Sequence, residues 1–277
     1  MHGALLDMHD ALGAWWLALC AAALVNVLAW AWSARQLGRI SDSGAAHLPA
    51  DLLASRRLLL WLSAGYVLGC AFRSVFPMVD VPRMCLHDTW ISRIVVGRSV
   101  ATVAELCFAA QWALLLREVD TRAAALASRL IVPLIVAAEL FSWGAVTTSN
   151  YLLHAVENSL WTLAAALAIA GFMSLWQRAD GAAARFAGAA VVSGAVYVAF
   201  MVTVDVPMYL SRSTAAGDGG PPLAEGLHTL VARCIVQRDW TAWREDALWL
   251  SLYFIVGVWI SIALAHAPRL GTSRTRP

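Results

Sequence analysis

Seven long apolar segments most constrain how this chain folds. Each is about 20 residues or longer, the length needed to cross the hydrocarbon core of a bilayer. Hydrophobic residues make up 60% of the chain and charged residues 14%, whereas soluble domains have about half and about a quarter. We therefore predict an all-α integral membrane protein, a seven-transmembrane-helix bundle forming one domain over residues 1–277. The predicted helices cover residues 11–32, 52–76, 91–116, 126–148, 151–176, 186–206 and 247–266.

The arginines indicate how the bundle is oriented. All twenty basic residues are arginine, so the chain has no lysine for Schiff-base chemistry, which excludes a rhodopsin-like retinal pigment. Cations are enriched in the connections predicted to lie on one side, beginning with Arg35 and Arg39 after the first helix. We expect the N-terminus outside, the C-terminus in the cytoplasm, and the chain in a cell membrane, the bacterial inner membrane. No arginine-rich run indicates nucleic-acid binding.

The last outer loop contains an amphipathic segment, residues 223–237. Leu223, Leu227 and Leu230 recur at helical spacing, but the segment is too short and too charged to span a bilayer. We predict a surface helix there, either a lid over an outward-facing pocket or plain interfacial packing. Cys85 and Cys234 both fall in outer loops, where an oxidising compartment permits a disulfide. The alternative is two free thiols, because pairing cannot be deduced from sequence.

Polar side chains lie at a common depth on six of the predicted helices. On the third helix Arg98, Thr102 and Glu105 share one face, and His154, Glu157 and Asn158 form the densest group, on the fifth. At a rise of about 1.5 Å per residue, most of these groups fall in the outer leaflet. Each would be costly if it faced lipid separately, so we expect them to converge on one interior site.

This pattern favours a membrane-embedded enzyme acting on a hydrophobic or amphipathic, lipid- or isoprenoid-like substrate in a pocket open to the periplasm. The predicted acid–base residues are Glu105, Glu139 and Glu157, since a buried pair of carboxyl groups can supply both an acid and a base. The other residues are predicted to bind or orient the substrate. They are Arg73, Arg98, Trp143, His154, Asn158, Trp161, Asp205, Trp249 and Tyr253.

Several alternatives remain open at this level. The same acids fit a protein that binds or transports a small molecule or lipid, and also a structural subunit with a buried ion-pair network. A metal at His154, Glu157 and Glu139 is a weaker option, because a single His-x-x-Glu is more often a hydrogen-bonded histidine. We expect no cofactor. The expected partners are membrane lipids and a hydrophobic ligand, and no motif in the sequence identifies a family.

Overall fold

The computed structural model describes residues 2–42, 49–216, 221–232 and 234–271, with side-chain detail for 11–39, 49–215, 221–231 and 234–271. Helices dominate the described chain, and seven are long and apolar enough to cross a membrane. The predicted all-α bundle is confirmed at this level. The helices are α1 His2–Asp42, α2 Ala50–Val75, α3 Ile94–Arg117, α4 Arg122–Thr148, α5 Tyr151–Trp176, α6 Gly181–Phe200, α7 Val206–Ala216, α8 Leu223–Ala232 and α9 Trp240–Ala265.

The third helix lies at the centre of the bundle. It packs against α2, α4, α5 and α9, while α1 closes one side against α2 and α9, and α6 packs on α5. The core between these helices is filled by fully buried aliphatic side chains such as Leu59, Ile131 and Val258. Residues one or two turns apart on α3 therefore face several other helices at once, which places its polar face inside the protein.

Several helices begin earlier than predicted, among them the first at His2 and the sixth at Gly181, and in two cases a capping residue sets the start. Thr121 accepts a hydrogen bond from the backbone N–H of Ala124, so α4 begins at Arg122. Asp239 accepts one from Thr241, so α9 begins at Trp240, well before the predicted start at residue 247. The apolar stretch of the sequence starts later than the helix, which is why the sequence predicts a start at residue 247. The charged residues before that stretch extend the helix beyond it.

The sixth spanning helix is longer than predicted and contains a wide turn. A π turn, Met201–Asp205, joins α6 to α7, and together they form one long helix, Gly181–Ala215. The predicted end preceded Pro207, whose ring clashes with a carbonyl one turn earlier in a regular α-helix. We infer that the wide turn gives this ring room, so the helix passes the proline instead of ending.

One end of the bundle carries the connections that follow α2 and α7, and we call it the disulfide end. There, β1 Met78–Val79 pairs antiparallel with β2 Met84–Cys85, which pairs in parallel with β3 Ile235–Val236. A disulfide joins Cys85 to Cys234, with their Cα atoms 5.8 Å apart. The surface helix ends at Ala232 rather than continuing to residue 237, because the following residues extend to join the sheet. Arg233 of the predicted helix lies outside the described residues.

At the other end of the bundle, which we call the opposite end, an ion pair between Arg56 and Glu118 joins several segments of the chain. The Arg56 guanidinium contacts Glu118, with Nη1 2.6 Å from Oε1 and Nη2 2.9 Å from Oε2. The same guanidinium donates to the carbonyls of Ala267 and Pro268. This pair joins α2, the end of α3 and the segment after α9, far from the disulfide.

Helix α8 packs against the end of α4 at a glycine. A Cβ on Gly226 would overlap the carbonyl oxygen of Thr147, so only glycine allows this approach. We expect Gly226→Ala to displace α8 and to lower the free energy of unfolding by about 1–3 kcal/mol, as overpacking does. Thermal unfolding in detergent and hydrogen exchange of α8 measure this. Gly13→Ala is the control, since a Cβ there meets open space; equal effects of the two substitutions would contradict the prediction.

Candidate functional site

Arg98 is the centre of a buried cluster of acids, and only 3% of it is exposed. Its Nη2 lies 2.8 Å from Oε2 of Glu105 and 2.7 Å from Oε2 of Glu139. Its Nη1 lies 3.2 Å from Oδ2 of Asp80 and 3.7 Å from Oε1 of Glu157. One guanidinium thus faces four carboxyl groups, which come from α3, α4, α5 and the loop after β1. We call these five residues the Arg98 cluster.

Arg73, at the end of α2, extends this cluster towards the disulfide end. Its Nη2 donates to the Met78 carbonyl at 3.0 Å and lies 3.6 Å from Oδ1 of Asp80. Its guanidinium carbon also lies 5.9 Å from the centre of the Phe254 ring. Arg73 therefore connects α2, the β1 strand and α9 to the acids.

Asp80 is the member of the cluster that was not predicted as a site residue. The loop at 80–88 is dense in polar residues, which is more typical of a solvated loop, yet Asp80 exposes only 11% of its side chain. Burial alone raises the pKa of Asp80, but the Arg73 and Arg98 guanidinium groups outweigh it and hold that pKa below its usual range. One signal in the sequence could have indicated its burial: Arg73 and Arg98, both predicted to lie inside the bundle, flank this loop.

This lowered pKa gives a prediction for Asp80→Asn. At neutral pH we expect the free energy of unfolding of the variant to be about 1–3 kcal/mol lower than that of wild type. This is the range for removing one partner of a buried charged hydrogen bond. Because the folded pKa lies below the unfolded value of about 3.9, the stabilisation is present above that pH and is lost as the pH falls further. Wild type should therefore lose more stability in acid than the variant does.

Thermal unfolding across an acid pH series tests this prediction. Asp88→Asn is the control, because Asp88 lies in the same loop with an exposed side chain. If Asp80→Asn and Asp88→Asn unfold alike at every pH, the contact of Asp80 with the two arginines does not stabilise the fold.

Glu139 has one satisfied oxygen and one unsatisfied oxygen. Its Oε2 accepts from Arg98 and also from the Thr102 hydroxyl at 2.5 Å, and that hydroxyl in turn accepts from Nε1 of Trp143 at 3.1 Å. Its Oε1 is buried without a hydrogen-bond partner. A buried carboxyl oxygen without a partner is costly, so this atom marks a place where a proton or a ligand group would be stabilised.

Glu105 connects the cluster to α9. Its Oε1 accepts from the Tyr253 hydroxyl at 2.9 Å, while its Oε2 accepts from Arg98. Both oxygens of this carboxyl group are thus held by donors. Glu105 has the donor set of an ionised carboxylate, in contrast to Glu139.

A second polar group lies beside Glu157. Nδ1 of His154 lies 2.7 Å from Oε2 of Glu157, one turn along α5, and which of the two atoms carries the proton depends on the histidine tautomer. Asn158 donates its side-chain N–H to Asp205, which the π turn carries. The His154 ring also packs against Tyr209, at 5.2 Å between centroids. The structure therefore brings α5 and the α6–α7 helix together at the depth of the acids.

Trp161 and Trp249, which were predicted to bind substrate, contact aromatic rings. Trp161 lies 6.5 Å from Trp112, an aromatic contact between α5 and α3. Trp249 stacks on Phe200, with ring centroids 5.1 Å apart and planes 9° from parallel. Both residues contact other aromatic rings and make no direct polar contact with the Arg98 cluster among the described residues.

Acids outnumber cations at this site. Two arginines and one histidine face five carboxyl groups, namely Asp80, Glu105, Glu139, Glu157 and Asp205. Burying several uncompensated negative charges inside a bilayer is costly. The excess must therefore be neutralised, by protons, by a bound cation or by donor groups of a ligand.

By distance alone, three of these acids fit a metal. One oxygen from each of Glu105, Glu139 and Glu157 lies within 4.8 Å of the others. Arg98, however, already binds Glu105 and Glu139 through one nitrogen and lies near Glu157. A cation between these oxygens would lie beside the guanidinium and be repelled by it. Protons, or a neutral ligand with a hydroxyl, meet the same need for compensation without that repulsion.

The fold and the site define a multi-pass membrane protein whose helices bury an arginine-centred cluster of carboxyl groups. No family model, curated protein or solved structure matches this chain.

Proposed function

We propose that the chain is a membrane-embedded enzyme that performs acid–base chemistry on a hydrophobic or amphipathic substrate resembling a lipid or isoprenoid. The observation that carries this proposal is the unequal pair formed by Glu139 and Glu105. Glu139 keeps a buried oxygen without a partner, whereas both oxygens of Glu105 accept hydrogen bonds. Two neighbouring carboxyl groups held in different environments are the arrangement that separates an acid from a base.

The roles follow from these environments. Glu139 is the proposed general acid, with its free Oε1 directed to the substrate. Glu105, fixed by Arg98 and Tyr253, is the proposed base. Glu157 is bonded to His154, and one of its oxygens lies within 4.8 Å of oxygens of Glu105 and Glu139; it is the proposed relay that returns the proton from the base to the acid between turnovers. Arg98 and Arg73 stabilise negative charge, whether on the acids or on a polar head group of the substrate.

Two independent observations support a membrane orientation with the site near the periplasmic side. The opposite end carries the larger group of arginines among the described residues, as cytoplasmic ends do. These are Arg35, Arg39, Arg56, Arg57, Arg117, Arg122, Arg178, Arg185 and Arg269. At the other end, the bond between Cys85 and Cys234 requires an oxidising compartment. We accordingly propose N-terminus out, C-terminus in, in a bacterial inner membrane.

A binding or transport protein is the alternative that uses the same acids. A transporter needs a second path towards the cytoplasm, and polar groups in the opposite half would have to line it. There, Gln111 is bonded to Ser261 and to the Leu59 carbonyl, and Ser261 is bonded to Ser63. These groups satisfy one another between three helices. This arrangement favours a site open on one side only.

The enzyme proposal is tested by matched substitutions of two glutamates. Wild type, Glu139→Gln and Glu118→Gln are reconstituted in nanodiscs with a total polar lipid extract, and the lipids are compared by mass spectrometry before and after incubation. Glu118 is the control because it pairs with an arginine at the opposite end. We expect one species to be consumed and another to appear with wild type and with Glu118→Gln, and at least a hundredfold slower conversion with Glu139→Gln.

Other outcomes select the alternatives. Retention of one lipid species by wild type without conversion would replace the enzyme with a binding or transport protein. Bulk lipid alone in all three samples would indicate that the cluster is a structural ion-pair network.

A further inference from the structure

Helices α6 and α9 lie next to each other but are poorly joined. Helix α6 packs on α5, α9 packs on α1 and α2, and the two make few backbone contacts with each other. Among the contacts described, side chains bridge this seam at two points. Phe200 stacks on Trp249 at 5.1 Å, and Arg212 contacts Glu245 and Asp246 near the disulfide end. We call the line between the two helices the α6–α9 seam.

The seam faces the surrounding lipid. On α6, Val192 and Val196 are 60% and 67% exposed, and on α9, Leu248 is 70% exposed. Val196 lies one turn before Phe200 and Leu248 lies directly before Trp249, and both rings of the stack are themselves partly exposed. In a bilayer such surfaces contact acyl chains, so a lipid can approach the Phe200–Trp249 stack directly from the membrane.

Behind the stack, aromatic contacts lead to the acids. Trp249 lies 6.0 Å from Tyr253, one turn further along α9, and Tyr253 donates its hydroxyl to Glu105. A single residue, Tyr253, therefore lies between the Trp249 ring that closes the seam and Glu105, the proposed base.

From Tyr253 an aromatic wall continues across the interior. Consecutive ring centroids lie 5.9, 4.5, 4.9 and 6.5 Å apart, a series of contacts from α9 through α2 and α3 to α5. Its rings after Tyr253 are Tyr66, Phe108, Trp112 and Trp161. On α3, Phe108 and Trp112 follow Glu105 by about one and two turns, towards the opposite end. Tyr66 and Phe108 stack face to face and are buried, so an apolar chain whose head reached Glu105 would contact this wall chiefly at the partly exposed Trp112.

The π turn begins directly after Phe200. Turns of this kind interrupt the regular hydrogen-bond ladder and are frequent at functional sites. Here the interruption lies beside the residue that closes the seam, and the same turn carries Asp205 to the site. One short segment thus adjoins the closing residue and also supplies Asp205 to the site.

We propose that the α6–α9 seam is a lateral entrance from the bilayer, closed in this structure by the Phe200–Trp249 stack. The substrate it admits has a small polar head, which reaches Glu105 and Tyr253, and a long apolar chain, which lies on the aromatic wall. This inference rests on the proposed function, because it names the substrate class and the route to the same site.

The test crosslinks the seam and reads lipid contact rather than turnover. Phe200→Cys/Trp249→Cys is made in a background where Cys20, Cys70 and Cys107 are alanine, so that only the native disulfide remains besides the new pair. A short bis-methanethiosulfonate closes the pair. The probe is a long-chain fatty alcohol with a diazirine in its chain, added to nanodiscs, and labelled residues are mapped by mass spectrometry.

The matched control is Trp30→Cys/Trp61→Cys, a lipid-side aromatic pair of α1 and α2 with centroids 6.3 Å apart. We expect photolabelling of Tyr253 and Trp112 in the double-cysteine variant before crosslinking, which we call the open protein. Crosslinking the pair at positions 200 and 249 should decrease this labelling at least fivefold. Crosslinking the control pair should not change it. Labelling of the exposed Val196 should stay constant in every sample. Trp249→Ala, which removes the stack without a crosslink, should increase labelling of Tyr253.

Absence of label at Tyr253 in the open protein, or label that crosslinking does not reduce, would overturn the entrance. This result is independent of the enzyme test. If crosslinking blocks labelling while no lipid is converted, the entrance stands and the proposed enzyme fails. If lipid is converted and crosslinking has no effect on labelling, the substrate reaches the acids by another route.

Discussion

Replacing Arg98 by alanine is expected to lower the free energy of unfolding by about 3–5 kcal/mol, the range for removing one partner of a buried ion pair. The reason is geometric. A single guanidinium faces Asp80, Glu105, Glu139 and Glu157, and nothing in the alanine variant would replace it. The measurement is equilibrium unfolding in mixed micelles of a mild detergent and dodecyl sulfate.

Arg212→Ala is the matched control for this prediction. Arg212 also contacts two acids, but it is partly exposed and its partner Glu245 exposes 67% of its side chain. Exposed pairs contribute about 0–1 kcal/mol. A cost for Arg98→Ala in that same small range would show that the buried acids do not depend on this arginine. Addition of Glu105→Gln to Arg98→Ala should recover part of the loss, because it removes one uncompensated carboxylate.

Removing the disulfide with Cys85→Ser/Cys234→Ser is expected to lower the free energy of unfolding by about 2–5 kcal/mol. The bond closes a long loop, since the two cysteines are 149 residues apart. It also holds β3 against β2 and thereby fixes the position of α8 at the end of α4. Thermal unfolding with and without a reductant measures the effect, and hydrogen exchange of α8 locates it.

The reductant supplies the control for the disulfide. It should shift the unfolding midpoint of wild type towards that of the double serine variant, and it should leave the variant unchanged. Cys20→Ser, which removes a free thiol, should respond to reductant as wild type does. A wild-type protein that is insensitive to full reduction would contradict the prediction.

The spanning helices could be predicted because their signal is local. Length and apolarity define a helix that must satisfy its own backbone in lipid, so the seven segments follow from the sequence without knowledge of packing. The helix ends were less certain, since they depend on single caps such as Asp239 and on a wide turn before Pro207. The short strands were not predicted, because two-residue strands have no periodicity.

The candidate site could be predicted in part for the same reason. Helical periodicity places Arg98 and Glu105 on one face, and depth along the helices aligns them with Glu139 and Glu157. Asp80 follows a two-residue strand in a loop, where neither periodicity nor depth applies. Its burial arises from the tertiary position of the loop over two arginines. For Cys85 and Cys234, the sequence left pairing and free thiols equally open.

The π turn also determines how this chain tolerates a change in length. A regular α-helix bonds each N–H four residues back, and a π turn bonds it five back, so the turn at Met201–Asp205 accommodates one extra residue. With one codon deleted there, the wide turn would become a regular α-helical turn, and the Pro207 ring would clash with the carbonyl one turn before it unless the helix kinked at the deletion. Every residue after it would rotate by about 100°, one residue's share of a helical turn. The reading frame and the hydropathy would survive, but Tyr209 and Arg212 would leave their present partners.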